Sequence, residues 1–100
     1  ASAKEDRKED RKAKAQARSR LADLTRPLRT EVAQIDKRLA SLTQEKTETE
    51  AVLASSQVSA SEIAELGRRL HHIAAETAML EERWLELQDQ LESMQAQTAS

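Results

Sequence analysis

The sequence predicts an all-α protein, a two-helix antiparallel coiled-coil hairpin with a basic, partly disordered N-terminal arm. Three observations lead to this fold class. The composition is typical of long helices, with 34 % charged residues, 1 % aromatics, one Gly and one Pro. Apolar residues recur at alternating spacings of three and four along two stretches of the chain, and a helix-start motif stands between those stretches.

The first stretch contains the arm and the first helix. Residues 1–20 carry no apolar side chain larger than Ala, so we expect a charged linker, either disordered or a fraying helix. Leu21, Leu24 and Leu28 begin an apolar stripe that Pro27 interrupts. Because proline is tolerated in the first turn of a helix and disfavoured inside one, the simplest interpretation starts the first helix at Pro27. Its apolar seam continues through Val32, Ile35, Leu39, Leu42 and Leu53, with Lys46 and Thr49 at two polar positions.

The turn and the second helix have the clearest local signals. Ser59 and Glu62 form a capping box, and Val58 with Ile63 occupies the positions of a hydrophobic staple, so a new helix begins at residue 60. Its seam consists of nine apolar residues and Thr77. The apolar members are Ile63, Leu66, Leu70, Ile73, Leu80, Trp84, Leu87, Leu91 and Met94.

A short connection forces the second helix to return alongside the first. We therefore expect an arm at 1–20, a hairpin at 21–96 and a frayed tail at 97–100. Within the hairpin, we expect helices at about 27–54 and 60–95 around a turn at 55–59. Paired residues should have numbers that sum to about 115, which places Leu42 near Ile73 and brings Leu21 and Leu24 beside Met94 and Leu91. A slip of one step along the seam would pair the helices nearly as well. The predicted core consists of Leu28, Val32, Ile35, Leu39, Leu42, Leu53, Ile63, Leu66, Leu70, Ile73, Leu80, Trp84, Leu87 and Leu91.

Catalysis and metal binding find no support in the residues. A single Gly cannot form a phosphate-binding loop, and no Cys is present. His71 and His72 are adjacent, so on a helix they point about 100° apart, and the simplest interpretation is two solvated histidines with His72 near Glu76.

Trp84 lies on the seam, which favours core packing over stacking on a nucleic-acid base. Gly67 lies beside the seam, where it either lets the helices approach or softens the helix. We expect no enzymatic activity, no metal and no cofactor in this chain.

The basic residues are the candidates for function. Residues 1–38 carry a formal charge of +5 and residues 39–100 carry −7. A flexible arm rich in Lys and Arg can neutralise phosphates without reading base sequence. The alternative is that these residues only keep the hairpin soluble and pair with its carboxylates. The candidate nucleic-acid-binding residues are Arg11, Lys12, Lys14, Arg18, Arg20, Arg26 and Arg29, with a smaller patch near the turn at Lys46, Arg68 and Arg69.

The segment EERWLELQDQLE, residues 81–92, resembles the closing helix of the coiled-coil C-terminal domain of ABC-F proteins. These proteins are duplicated ATP-binding-cassette ATPases, without membrane domains, that act on the ribosome. The resemblance extends over about residues 4–94 and includes the basic linker and the segment LTRPLRTEVAQIDKRL, residues 24–39. It implies a C-terminal extension that contacts nucleic acid or the ribosome during translation. It also implies that the ATP sites lie in the parent protein, outside this chain.

Two functions remain open at this stage. The first is a nucleic-acid-binding appendage that contacts ribosomal RNA or DNA and can also contact the ATPase domains of its parent. The second is a structural coiled coil that spaces domains or dimerises. The chain begins without Met and in mid-pattern, and we expect it to be a segment of a longer protein. No apolar run is long enough for a membrane span, so we expect a cytoplasmic chain, and a monomer because each helix finds its partner within the hairpin.

Overall fold

The computed structural model describes residues 2–99 and their side chains as far as Gln97. It contains two helices, α1 at Ser2–Ala54 and α2 at Ala60–Ala99, and the described residues form no strand. The helices fold back on each other into a rod with extents of 84 × 16 × 15 Å. The antiparallel all-α hairpin predicted from the sequence is therefore confirmed.

The turn lies at residues 55–59, where the capping box places it. The backbone N–H of Glu62 donates to Ser59 Oγ over 3.2 Å, and the backbone N–H of Ile63 donates to the Ser59 carbonyl over 3.0 Å. The Ser59 hydroxyl is also 3.1 Å from Glu62 Oε1. These contacts satisfy backbone groups that a helix start otherwise leaves without partners. Of the two staple residues, Val58 is half-buried and Ile63 is 50 % exposed.

The predicted start of the first helix at Pro27 is wrong, because α1 runs without interruption from Ser2 and contains Pro27 in its interior. Of the two alternatives expected for the arm, disorder or a helix, residues 2–20 form the helix. Ala1 lies outside the described residues. Ala, Lys, Arg and Glu favour helix, and extending an existing helix costs much less than starting one. Pro27 itself is exposed, so the carbonyl that loses its N–H donor can face water.

The tail predicted at residues 97–100 is likewise helical as far as Ala99. Ser100 lies outside the described residues. The second helix thus continues beyond residue 95, its predicted end, and past Met94, the last residue of the seam. As in α1, the helix extends past the residues that it can bury.

Two ion pairs between the helices fix their register. Arg38 donates to both carboxylate oxygens of Glu76 over 2.6 and 2.9 Å, and Arg83 donates to both oxygens of Glu31 over 2.6 and 3.0 Å. In both pairs the residue numbers sum to 114, in agreement with the register predicted from the apolar seams. By the same pairing, the end of α2 at Ala99 lies beside about residue 15 of α1. The first turns of α1 therefore extend beyond α2.

The core is a single narrow seam. Its fully buried apolar residues are Ile35, Leu42, Ile73, Leu87 and Leu91. The other predicted core positions are half-buried, except Ile63, which is not a core residue because it lies in the first turn of α2 and is 50 % exposed. Two helices have only one contact line, so most side chains keep one flank in water.

Two threonines are also buried in the seam. Thr25 is 1 % exposed and donates its hydroxyl to the Leu21 carbonyl over 2.9 Å, and Thr49 is 4 % exposed and donates to the Glu45 carbonyl over 2.7 Å. These bonds satisfy the hydroxyls and make burial possible. The seam consequently runs through Leu21, Thr25 and Leu28. The prediction that Leu24 packs beside Leu91 is wrong, since Leu24 is 59 % exposed.

Trp84 is half-buried on the seam, and its shielded Nε1 has no hydrogen-bond partner among the described residues. We predict that Trp84→Ala lowers the free energy of unfolding by about 3 kcal/mol, at the lower end for large aromatic side chains because the site is partly open. Trp84→Phe should cost less, since it keeps a ring and removes the unpaired donor. Chemical denaturation followed by circular dichroism measures both. Equal, negligible losses would show that Trp84 does not support the fold.

Candidate nucleic-acid interface

The charged N-terminal part of α1 separates its cations from its carboxylates. At about 100° per residue, the seven Lys and Arg side chains between positions 4 and 18 fall within an arc of about 160°. The four carboxylates of the same segment fall within the remaining arc. We call the first set the cationic face: Lys4, Arg7, Lys8, Arg11, Lys12, Lys14 and Arg18. The second set is the acidic face: Glu5, Asp6, Glu9 and Asp10.

The cationic face continues the seam of the hairpin. Lys4, Arg7, Arg11, Lys14 and Arg18 follow one another at spacings of three and four, and the next positions in the series are Leu21, Thr25 and Leu28. The side of α1 that packs on α2 therefore becomes cationic where α2 approaches its end. All side chains of residues 2–20 are exposed, and this described segment contains no ion pair. Its charges are free to meet an external partner.

The structure groups some of the sequence candidates and separates others. Arg11, Lys12, Lys14 and Arg18 belong to the cationic face, whereas Arg20 lies on the opposite side of the same segment. Arg26 pairs with Asp23 over 2.9 Å. Arg29 lines a shallow groove with Val32 and Leu91. Lys4, Arg7 and Lys8 were missed by the sequence analysis, although their three- and four-residue spacing with the later cations is visible in the sequence.

The predicted patch near the turn is not one surface. Arg68 and Arg69 line a groove on one flank of the hairpin together with Arg38, and Lys46 lines a groove on the other flank beside Glu50. Arg68 is also paired with Glu65 over 2.7 Å. The predicted register places these residues at the same level along the rod. It does not determine on which flank of the hairpin each side chain lies.

The flank that carries Arg38 is closed by charge pairs, and we call it the ion-paired edge: Glu31, Arg38 and Glu45 of α1 with Glu76 and Arg83 of α2. The hydrogen bond from Arg83 holds the pKa of Glu31 below its ordinary value of 4.5, and the Arg38 bond does the same for Glu76. The hydrogen bond from Arg68 lowers the pKa of Glu65 as well. The pKa values of Arg38 and Arg83 are raised by the same bonds. The sequence predicts that His72 lies near Glu76. In the structure both carboxylate oxygens of Glu76 accept hydrogen bonds from Arg38 instead.

The described residues contain no group of three His, Asp or Glu side chains placed to hold a metal ion. Their helices also include no stretch with both the length and the apolar character of a membrane span. The clearest concentration of like charge among the described residues is the cationic face.

The hairpin has a counterpart among known sequences. Residues 23–89 match the family described as the ABC transporter C-terminal domain. The chain belongs to this family. The ABC transporter C-terminal domain match covers the turn, all the ion pairs between the helices and most of the seam, and it begins after the cationic face. No curated protein and no solved structure gives a significant match to the chain.

The depressed carboxylate pKa values predict how stability depends on pH. A carboxylate whose pKa is lowered by folding adds stability above its unfolded value, and that stability is lost as pH falls through the folded value. We therefore expect the Tm of the hairpin to be nearly constant from about pH 7 to 5 and to fall below about pH 4.5.

Thermal melts of two variants test the origin of this acid loss. Glu31→Gln with Glu76→Gln should lower the Tm at pH 7 and reduce its further fall at low pH. Glu82→Gln, which changes an exposed carboxylate that makes no ion pair in the described part of α2, should leave the profile unchanged. An unchanged acid loss in the double variant would contradict the assigned role of the two pairs.

Proposed function

We propose that this chain is the non-catalytic, nucleic-acid-binding C-terminal appendage of an ABC-F type ATPase that acts on the ribosome in the cytoplasm. The separation of seven cations from four carboxylates on the projecting part of α1 carries the proposal. The family match supports a role as an appendage of an ABC protein. The resemblance of residues 24–39 and 81–92 to ABC-F proteins supports the more specific assignment. ATP binding belongs to the parent in this proposal.

Phosphate groups are the chemical target that best fits the cationic face. Each Lys or Arg that neutralises a phosphate releases condensed counterions, which drives binding without reading base sequence. Seven exposed cations without ion pairs provide such contacts over about 21 Å of helix. The single aromatic residue is half-buried on the seam, so base stacking contributes nothing here. Ribosomal RNA and duplex DNA share this phosphate chemistry, and the experiment distinguishes them.

The hairpin has a mechanical role in this function. The ion-paired edge and the seam hold α1 against α2 as far as about Leu21. Most of the cationic face lies beyond the end of α2, which is beside about residue 15. The rod therefore presents the cations at a defined end, far from the turn. A spacer without a nucleic-acid partner has no need for this distribution of charge. That spacer, or dimerisation module, is the second candidate function.

Binding should be weak at physiological salt and should depend strongly on salt. We predict that log K falls with log salt with a slope of about −4 on duplex DNA, for four or five phosphate contacts at about −0.9 each. Electrophoretic or fluorescence-anisotropy titrations at several salt concentrations, with duplex DNA and with an rRNA hairpin, measure the slope and the preferred nucleic acid. An intact chain that binds neither at low salt would support the spacer function.

A charge-permuted variant separates the face from the net charge. It exchanges neighbouring residues of opposite charge, so that composition and helix propensity are preserved while both faces become mixed. The exchanges are Lys4→Glu with Glu5→Lys, Asp6→Arg with Arg7→Asp, and Asp10→Arg with Arg11→Asp. We expect this variant to lose affinity and about half of the slope with an unchanged circular dichroism spectrum. Equal binding by the variant would show that only the net charge of the segment matters.

A further inference from the structure

The two long flanks of the hairpin differ in how they are closed. Both ion pairs between the helices lie on the ion-paired edge, where Glu31, Arg38 and Glu45 recur every seven residues on α1. The opposite flank of α1 carries Arg29, Asp36, Thr43 and Glu50, also seven residues apart. The described part of this second flank, which we call the open edge, has no ion pair between the helices.

An apolar groove lies in the middle of the open edge. It is lined by Leu39 of α1 and by Trp84 and Leu85 of α2, with Asp36 and Glu81 at its rim. Leu85, which follows the seam residue Trp84 in the sequence, is 59 % exposed. Towards the turn the flank continues along the small side chains of Ala74 and Ala78. The groove thus offers apolar contact and leaves room for the backbone of another helix.

The charges around the groove specify the chemistry of its occupant. Asp36 and Glu81 form no ion pair with any described residue. Further along the edge lie the carboxylates of Glu50 and Glu92. Against these four carboxylates the edge carries only two cations, Arg29 and Lys46. A partner that fills the groove with an apolar residue and flanks it with Lys or Arg is complementary in both respects.

We propose that the open edge is a docking site for a cationic amphipathic helix of a protein partner, which packs as a third helix against α1 and α2. Its apolar residues contact Leu39, Trp84 and Leu85, and its Lys or Arg side chains pair with Asp36 and Glu81. This surface lies on the flank of the rod, and the cationic face proposed to bind nucleic acid lies at its end. A negative result for one proposal therefore leaves the other unaffected.

Trp84 reports on the site directly, since it is the only Trp in a chain that has no Tyr or Phe. The probe is a Trp-free helical peptide of three heptads with Leu on its seam and Lys beside it, and the control peptide has Glu in place of each Lys. We expect the Lys peptide to shift the Trp84 emission to shorter wavelength in a saturable manner, because it excludes water from the indole. The Glu peptide should cause no shift. No shift with either peptide, or an equal shift with both, would overturn the proposal.

Two matched variants of exposed residues on α2 locate the contact. Leu85→Ala should weaken binding of the Lys peptide about tenfold, as expected for the loss of a large apolar contact. Met79→Ala removes a side chain that is 62 % exposed and lies away from the open edge, and it should leave the affinity unchanged. Equal effects of the two variants would overturn the site.

Sedimentation equilibrium of the chain alone distinguishes a second copy as the occupant. The proposal expects a monomer in the absence of peptide. Self-association that Leu85→Ala abolishes would assign the open edge to a homodimer and overturn the heterologous partner.

Discussion

The single contact line between α1 and α2 is the constraint on which the rest of the molecule depends. A hairpin of two helices has no second layer, so only the side chains at the centre of the seam, such as Leu42 and Leu87, lose nearly all contact with water. The flanks of the seam must then be closed by other means. One flank is covered by two arginine–carboxylate pairs, each with two hydrogen bonds. The other flank keeps an open apolar groove. The asymmetry between the edges follows from these side chains.

The same constraint explains how the basic segment is presented. The three- and four-residue spacing of α1 does not stop where the apolar residues stop; it continues with Arg18, Lys14 and Arg11. Apolar side chains on this face bind the second helix, and cations on the same face meet water or an anionic partner. One continuous helix therefore carries a packing segment and a cationic segment in series along one face. Pro27 lies within this helix, and its exposed position limits its cost to a lost hydrogen bond at the surface.

Local rules and periodicity predicted most of the fold. The capping box at Ser59 and Glu62 is read from four consecutive residues, and the register follows from matching two seams about a short turn. Thr25 was not recognised as a buried seam residue, because its neighbour Leu24 is more hydrophobic. The strict spacing of three and four residues nevertheless selects position 25. Its burial depends on the hydroxyl bond to the Leu21 carbonyl, which composition does not reveal. The cations were recognised as a run but not as a face, because a segment without buried residues was expected to be irregular. Similarly, the flank on which Lys46 or Arg69 lies depends on the supercoil, which the sum of residue numbers does not contain.

The central claim is that the basic segment of α1 is one continuous helix and that its helicity creates the cationic face. The chain has no Cys, so two introduced cysteines at exposed positions on either side of the basic segment, Ala3→Cys and Ala22→Cys, can carry nitroxide labels without side reactions. Pulsed electron paramagnetic resonance then measures the distance between the labels. A continuous helix predicts a narrow distribution centred near 28 Å, from 19 residues at about 1.5 Å each, with and without nucleic acid. A broad distribution without a peak at this distance in the free chain would contradict the account, since an irregular segment cannot hold its cations on one face.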